Sequence, residues 1–457
     1  MECLSVKELA AACKGTPYGC EDLDGICRIC TDTRKIEPGD MFVPLRGENF
    51  DGHDFIGKAF QTGATLTLTA DLEKAAGKPC ILVEDTLTAL QDIARYYKGR
   101  FKIPFVAITG SSGKTTTKDM IASILGAKYN ILKTEGNLNN AIGVPLTLLK
   151  LEAHHRIAVV EMGMNSLGEI ELLADIVRPD IGIISNVGTA HMENLGSREN
   201  ILKAKLELFT FFGRDNTAII NGDNDLLGTY ASGNHRIIKY GLDKKNDIMA
   251  YNIEEMGEQG ISFRMQIGGR EESFLVPVPG LHNVYNALAA ITVGLLFDMT
   301  AEQIREGLAS FRPSKMRMDI FTLQNGIRII NDVYNANPDS MLAAINVLKS
   351  IGAKGRTVAI LGNMMELGEV AAEKHYEVGR YAAETGIHTV ISVGEMAKQI
   401  AAGAFDSQRN CTAYSFDTNE MLLEKLQGLL EPGDTVLIKG SRVMKMESIV
   451  DFLRERG

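Results

Sequence analysis

The chain has 457 residues, of which 45% are hydrophobic and 23% charged, and its mean hydropathy is −0.02. That length exceeds one ordinary core and implies about two to four globular domains. A net charge of −10 argues against a general nucleic-acid binder, and no apolar run approaches the roughly 20 residues that span a bilayer.

The first residues, MECLSVKELAAACKG, lack a basic stretch followed by an apolar core, so no secretory signal is expected. Seven cysteines, an odd number scattered along the chain, fit a reducing, cytoplasmic setting with thiols packed as small hydrophobes. Cys27 and Cys30 have CxxC spacing and Cys20 is near. Neither a second ligand pair nor a strand-then-helix setting supports a metal or redox site there.

In chain order, Ser5 with Glu8 three residues later predicts a capped helix. EPGDMFVPLRG then reads as turn, strand, turn; GATLTLTA and CILVED as short strands; LTALQDIARYYKGRF as a helix. Pro104 marks the first boundary. From there FVAITG, IAVVEMG, DIGIISNVG and NTAIINGDN are apolar runs separated by helical stretches, the pattern of a mostly parallel sheet covered on both faces. Arg312-Pro313 marks the second boundary, after which IRIINDVYNANP, TVAILGNMMELG, TVISVGE and DTVLIKGSR repeat the pattern. The expectation is a three-domain α/β protein divided at 1–103, 104–311 and 312–457. Its central part would be a P-loop ATPase-like sheet and its last part Rossmann-like.

In such sheets ligands sit beyond the carboxyl ends of the strands, so the polar residues there matter most. ITGSSGKTTT places Gly110, Ser111, Ser112, Gly113, Lys114, Thr115 and Thr116 between a strand and a helix. Backbone amides and the helix start would cradle phosphates, with Lys114 over them and Thr115 offering a hydroxyl to Mg²⁺. Ile108 stands where the common G-x-x-x-x-G-K-[ST] form has its first glycine, leaving the shorter G-x-x-G-K-T. Glu161 ends the next strong strand and could reach the same ion. His191 follows another strand, and Lys203 and Lys205 lie on the helix after it; for the lysines a solvated face is the plainer reading. Asn283, Arg317, Asp332, Lys439 and Arg442 sit in polar positions of the last third. Each is weak alone, but together they offer groups for a ribose, an adenine edge and a carboxylate.

TGSSGKTTTKDM, TEGNLNNAIGVPLTLL, EMGMNSLGEI, GLHNVYNALAA and DVYNANPDSM resemble the Mur ligases over nearly the whole chain, and MGMNSLGEI and YNANPDSM are similar to their dipeptide-adding branch. The resemblance implies an ATP-dependent amide ligase of peptidoglycan synthesis. It would join D-alanyl-D-alanine to UDP-N-acetylmuramoyl-tripeptide through an acyl phosphate, as a cytoplasmic monomer. It further implies Lys114, His191 and Lys205 as catalytic residues. Thr115, Glu161, His191 and a carbamylated Lys205 would serve two Mg²⁺ sites, and Asn283, Arg317 and Asp332 would hold the adenosine of ATP. Asp32, Thr33, Arg34, Arg46 and His53 would lie near the UDP-sugar and the loop around Asn335 and Asn337 near the incoming dipeptide, with Asn137 and Asn139 as further substrate-binding residues. Thr33 and Asn363 depart from the family's usual Ser and Asp. The tripeptide-forming Mur ligases and folylpolyglutamate synthases are the rival enzymes; a P-loop switch is the rival of another class.

Overall fold

The computed structural model describes residues 1–353 and 355–456. Three sheets follow one another along the chain. Five short strands between residues 16 and 82 form the first, parallel except for the antiparallel edge strand Thr16–Tyr18. The second has nine strands between 105 and 276. Its order runs from Ile131–Lys133 through Ile157–Glu161, Phe105–Thr109 and Ile181–Ile184 to Thr217–Asn221 and Arg236–Gly241, all parallel. Six strands between 319 and 439 make the third, parallel apart from the hairpin of Asp319–Thr322 with Arg328–Asn331.

Alternation decides how the layers meet. All five residues of Phe105–Thr109 are buried, and their side chains divide between two cores. Val106 and Ile108 face a cluster built with the helix Lys114–Gly126 and the helix Leu281–Leu296. Phe105 and Ala107 face a second cluster that also contains Leu4, Leu9, Leu90, Ile93 and Tyr97 of the first domain. The first two sheets therefore share one continuous apolar core. Tyr97 pins the junction: its buried hydroxyl accepts from Glu2 N at 2.7 Å and donates to Leu151 O at 2.5 Å. The third sheet instead has two clusters of its own, and no buried apolar cluster among the described residues joins it to the second.

The helix Val6–Ala12 has both bonds of the expected capping box. Two features differ from expectation. The second sheet carries an antiparallel edge, Ile248–Glu255, Ile261–Ile267 and Arg270–Val276, that the sequence reading did not name. ISFRMQI alternates strictly, with Ile261, Phe263 and Met265 buried, so the signal was there at period two. Second, Cys3 and Cys27 form a disulfide, where free thiols were expected. Leu4 and Ile26 are hydrogen-bonded across an antiparallel bridge, which sets the flanking cysteines side by side with Cα atoms 4.0 Å apart. The CxxC spacing is thus not the pairing.

Tyr97→Phe should leave the Leu151 carbonyl and the Glu2 amide without their partner and cost about 1–3 kcal/mol, read as a lower denaturant midpoint for the first two domains.

Candidate functional site

The strand Phe105–Thr109 ends in a loop whose geometry requires its glycines. Gly113 has φ +79°, and a Cβ there would lie 2.6 Å from Asn286 Oδ1; a Cβ on Gly110 would lie 1.9 Å from Ser185 Oγ. Asn186 braces the loop, its carbonyl accepting from Ser111 N at 3.2 Å and its Oδ1 from Ser112 N at 2.8 Å. The helix starting at Lys114 has no side-chain cap, so its first amides are free to meet an anion. Lys114 curls back, donating to Gly110 O at 2.6 Å. Burial lowers its pKa, opposed by the nearby Glu161 carboxylate.

Ile108 and Glu161 are partners in register on adjacent parallel strands, so both strand ends open on one crevice. Thr115 Oγ1 lies 3.2 Å from Glu161 Oε1, which also accepts from Asn139 Nδ2 at 2.8 Å. Oε2 of the same carboxylate is buried without a hydrogen-bond partner, and Lys118 Nζ lies 3.6 Å from it. A buried anionic oxygen left open beside a threonine hydroxyl fits a divalent cation such as Mg²⁺. Among the described residues no three His, Cys, Asp or Glu side chains gather into a stand-alone metal site.

The expected residues fall into three sets. Ser111, Ser112, Gly113, Lys114, Thr115, Thr116, Asn137, Asn139, Glu161, His191, Asn283, Arg317, Asp332, Asn335 and Asn337 all line one cleft of about 630 Å³ between the second and third sheets. Asn283 is buried, donating to Pro279 O and accepting from Asn286, which in turn accepts from Thr117. Arg317 spans the opening: it donates to Thr115 Oγ1 at 3.2 Å and stacks 4.1 Å from the Tyr334 ring centroid. Asp332 pairs with the buried Lys439 at 2.5 Å. Asn337 caps the helix Pro338–Ile351 and reaches Ser111 O at 3.3 Å.

Behind the cleft sits Lys205, 1% exposed on the helix Arg198–Leu206. It is not the solvated side chain that its sequence context favours. Burial, reinforced by Lys114, drives its pKa far down, and no described residue pairs with it. His191 does not meet Glu161; its Nδ1 lies 2.6 Å from the Glu366 carboxylate of the third domain.

The third set lies apart, on the first domain. Arg34 and Arg46 are 82% and 65% exposed, and Asp32 caps the turn Thr33–Lys35 with its carboxyl held at about 2 by Arg34. His53 is buried, with Nδ1 on Asp51 and Nε2 accepting from Ala70 N. Both ring nitrogens are thereby used, so His53 shapes the loop that presents Arg46. At Asn363 the amide oxygen accepts from Ala397 N at 2.8 Å, a bond that asks for an acceptor and no charge.

Sequence reasoning missed Lys118, Asn186, His282, Tyr334 and Glu366, all at or beside this cleft. Asn186 and Lys118 carried a signal: one follows a strand end and the other lies one turn beyond Lys114. Burial lowers the His282 pKa to about 4. Unfolding restores an ordinary value of about 6.5, so the unfolded chain binds the extra proton and stability falls as pH drops from about 6.5 towards 4. His282→Gln should flatten that fall, measured as the denaturant midpoint at pH 7 against pH 5.

Comparison with known proteins places these features. Residues 26–98 match the Mur ligase family catalytic domain, 108–294 the Mur ligase middle domain, and 316–442 the Mur ligase glutamate ligase domain. The UDP-N-acetylmuramoyl-tripeptide–D-alanyl-D-alanine ligase of Bacillus subtilis (strain 168) is 39% identical over 457 residues, covering 99% of this chain and 98% of that protein. A crystal structure of MurF from Acinetobacter baumannii superposes with a TM-score of 0.93 at 33% identity, covering 100% of both chains. MurF ligase from Thermotoga maritima, solved in complex with ADP, gives a TM-score of 0.82 at 27% identity, covering 94% of this chain and 97% of that one. With identity held over essentially the full length and all three sheets matched, the chain belongs to the Mur ligase family.

Proposed function

We propose that this chain is an ATP-dependent ligase that joins D-alanyl-D-alanine to the terminal carboxylate of UDP-N-acetylmuramoyl-tripeptide, the activity for which its B. subtilis relative is named. One observation carries the reading beyond that name: the phosphate loop and the Asn335–Asn337 loop form opposite walls of a single cleft, touching through Asn337 and Ser111. A nucleotide switch needs no second domain at its γ-phosphate. A ligase does, because the terminal phosphate must meet a second and a third substrate.

The chemistry explains the residues. A carboxylate is a poor electrophile, so its oxygen attacks the γ-phosphorus, ADP leaves, and an acyl phosphate results. The neutral amine of the dipeptide then attacks the acyl carbon, and phosphate departs from the tetrahedral intermediate. Two anions have to meet, so charge neutralisation and positioning dominate. Lys114, the loop amides and Arg317 supply positive field from the protein. Thr115 and Glu161 would hold Mg²⁺, which adds charge compensation on the phosphate oxygens. Domain closure keeps water from the acyl phosphate.

Lys205 has a place in this scheme. Burial pushes the Lys205 amine towards its neutral form, whose lone pair could take up CO₂, and loss of a proton would leave a carbamate, an anionic oxygen donor behind the phosphate loop. Arg34 and Arg46, exposed on the first domain, would meet the UDP diphosphate. No helix among the described residues is long and apolar enough to cross a membrane.

The deciding measurement is phosphate release from ATP with the UDP-tripeptide, with and without D-alanyl-D-alanine. Turnover should require the dipeptide; release that ignores it would favour the switch. Lys114→Ala should cost at least about 10²-fold in kcat. Lys205→Ala should be nearly inactive and regain part of its rate in acetate, and a fully active unsupplemented variant would rule out the carbamate.

A further inference from the structure

The second and third domains meet at a contact that the proposed reaction scheme does not use. Glu366 comes from the third sheet's side, just after the strand Thr357–Gly362, and its Oε2 lies 2.6 Å from His191 Nδ1. The two backbones are joined as well: Glu193 N donates to Glu366 O at 3.1 Å. Gly368 packs so closely on Glu193 that a Cβ on it would stand 3.2 Å from Glu193 Cα. His191 and Glu366 both have φ +64°, a left-handed conformation that neither side chain favours. Backbone outliers of this kind persist where surrounding structure enforces them, and here two face each other across a domain boundary.

The Glu366 loop is braced from behind. Met364 N donates to Nε2 of the fully buried His375, whose Nδ1 is bound to Ala371 O. Met365 N donates to Ser441 Oγ, and Ser441 N to Asn363 O. The carboxylate is therefore presented by a rigid element, although its own side chain is 49% exposed. It also lines the cleft with Lys114 and interacts electrostatically with that ammonium. The carboxylate 2.6 Å from Nδ1 gives the imidazole a charged neighbour that holds it at the edge of the cleft.

We propose that Glu366 is a positioning residue for the ligation: it clasps His191 when the third domain closes, so that closure and assembly of the phosphate site become one event. This rests on the ligase reading for its kinetic consequence, while the clasp itself stands on the geometry alone.

The test uses the full chain. Glu366→Ala should lower kcat at least about tenfold while the KM for the UDP-tripeptide, expected on the distant first domain, stays within about twofold. Glu366→Gln keeps the side chain's shape and an oxygen beside Nδ1 and should recover part of the loss. Because Glu366 acts through His191, the double variant Glu366→Ala/His191→Ala should be no slower than the worse single variant. A second readout needs no amide product: limited proteolysis of the linker around residues 311–318 with ADP bound. Wild type should be protected, and Glu366→Ala cut at least threefold faster at unchanged Tm. Wild-type kcat in Glu366→Ala, multiplying losses in the double variant, or equal cleavage of the two proteins would each overturn the proposal. If wild type formed no amide, the ligase reading would fail, and the cleavage comparison would still decide the clasp.

Discussion

Glu161 is a buried carboxylate at a strand end on the wall of the cleft, and much of the site follows from what it takes to keep it there. Removing such a charge from water costs several kcal/mol unless neighbours restore the lost interactions. Thr115 and Asn139 contribute polar contacts to one oxygen and Lys118 a charge near the other. Lys118, itself 2% exposed, lies 3.6 Å from Asp119 Oδ1 as well. Asp119 continues the chain of contacts to Lys133 at 2.8 Å and to Ser314, in the linker to the third domain, at 2.6 Å. A group placed for the phosphate site is thereby linked, through alternating charges, to the segment that leads into the third domain.

The same linker carries Met316 and Met318 with φ of +64° and +48°, and between them Arg317 reaches Thr115. Left-handed residues flanking an arginine that touches the phosphate loop make this a tightly specified turn rather than a slack tether. The contrast with the other junction is physical. Between the first two sheets the contact is a shared apolar core, which has no alternative arrangement of similar energy. Between the second and third the contacts that cross are largely polar and ionic, and these can exchange with water or substrate at small net cost. One junction is fit for rigidity and the other for movement.

The legible parts of this protein were those that local pattern determines. Ile108 and Glu161 were readable as neighbours because each ends an apolar run, and parallel strands in one sheet bring their ends to one edge. The phosphate loop was readable because its glycines are demanded by backbone conformation and by Asn286 and Ser185 pressing on it. Lys205 was not: only the fold shows that helix position 205 faces inward, and the short helix has no clear apolar stripe to betray it. Cys3 with Cys27 was hidden for a similar reason, since the pairing depends on how the chain folds back at Leu4 and Ile26.

His191 shows the limit most clearly. Its place after a strand end was visible, yet its partner is 175 residues away on another domain, in a loop whose sequence, MMELG, says nothing of where it will dock. What chooses the partner is the packing of one domain on another. A single ion pair across such a boundary is worth little when both groups stay wet. Here His191 is 18% exposed and Glu366 49%, so the pair draws its weight from the backbone bond and the close Gly368–Glu193 packing beside it. Several contacts gathered at one place favour one arrangement of two packed domains, and an enzyme that must exclude water before making a labile acyl phosphate benefits from a defined arrangement.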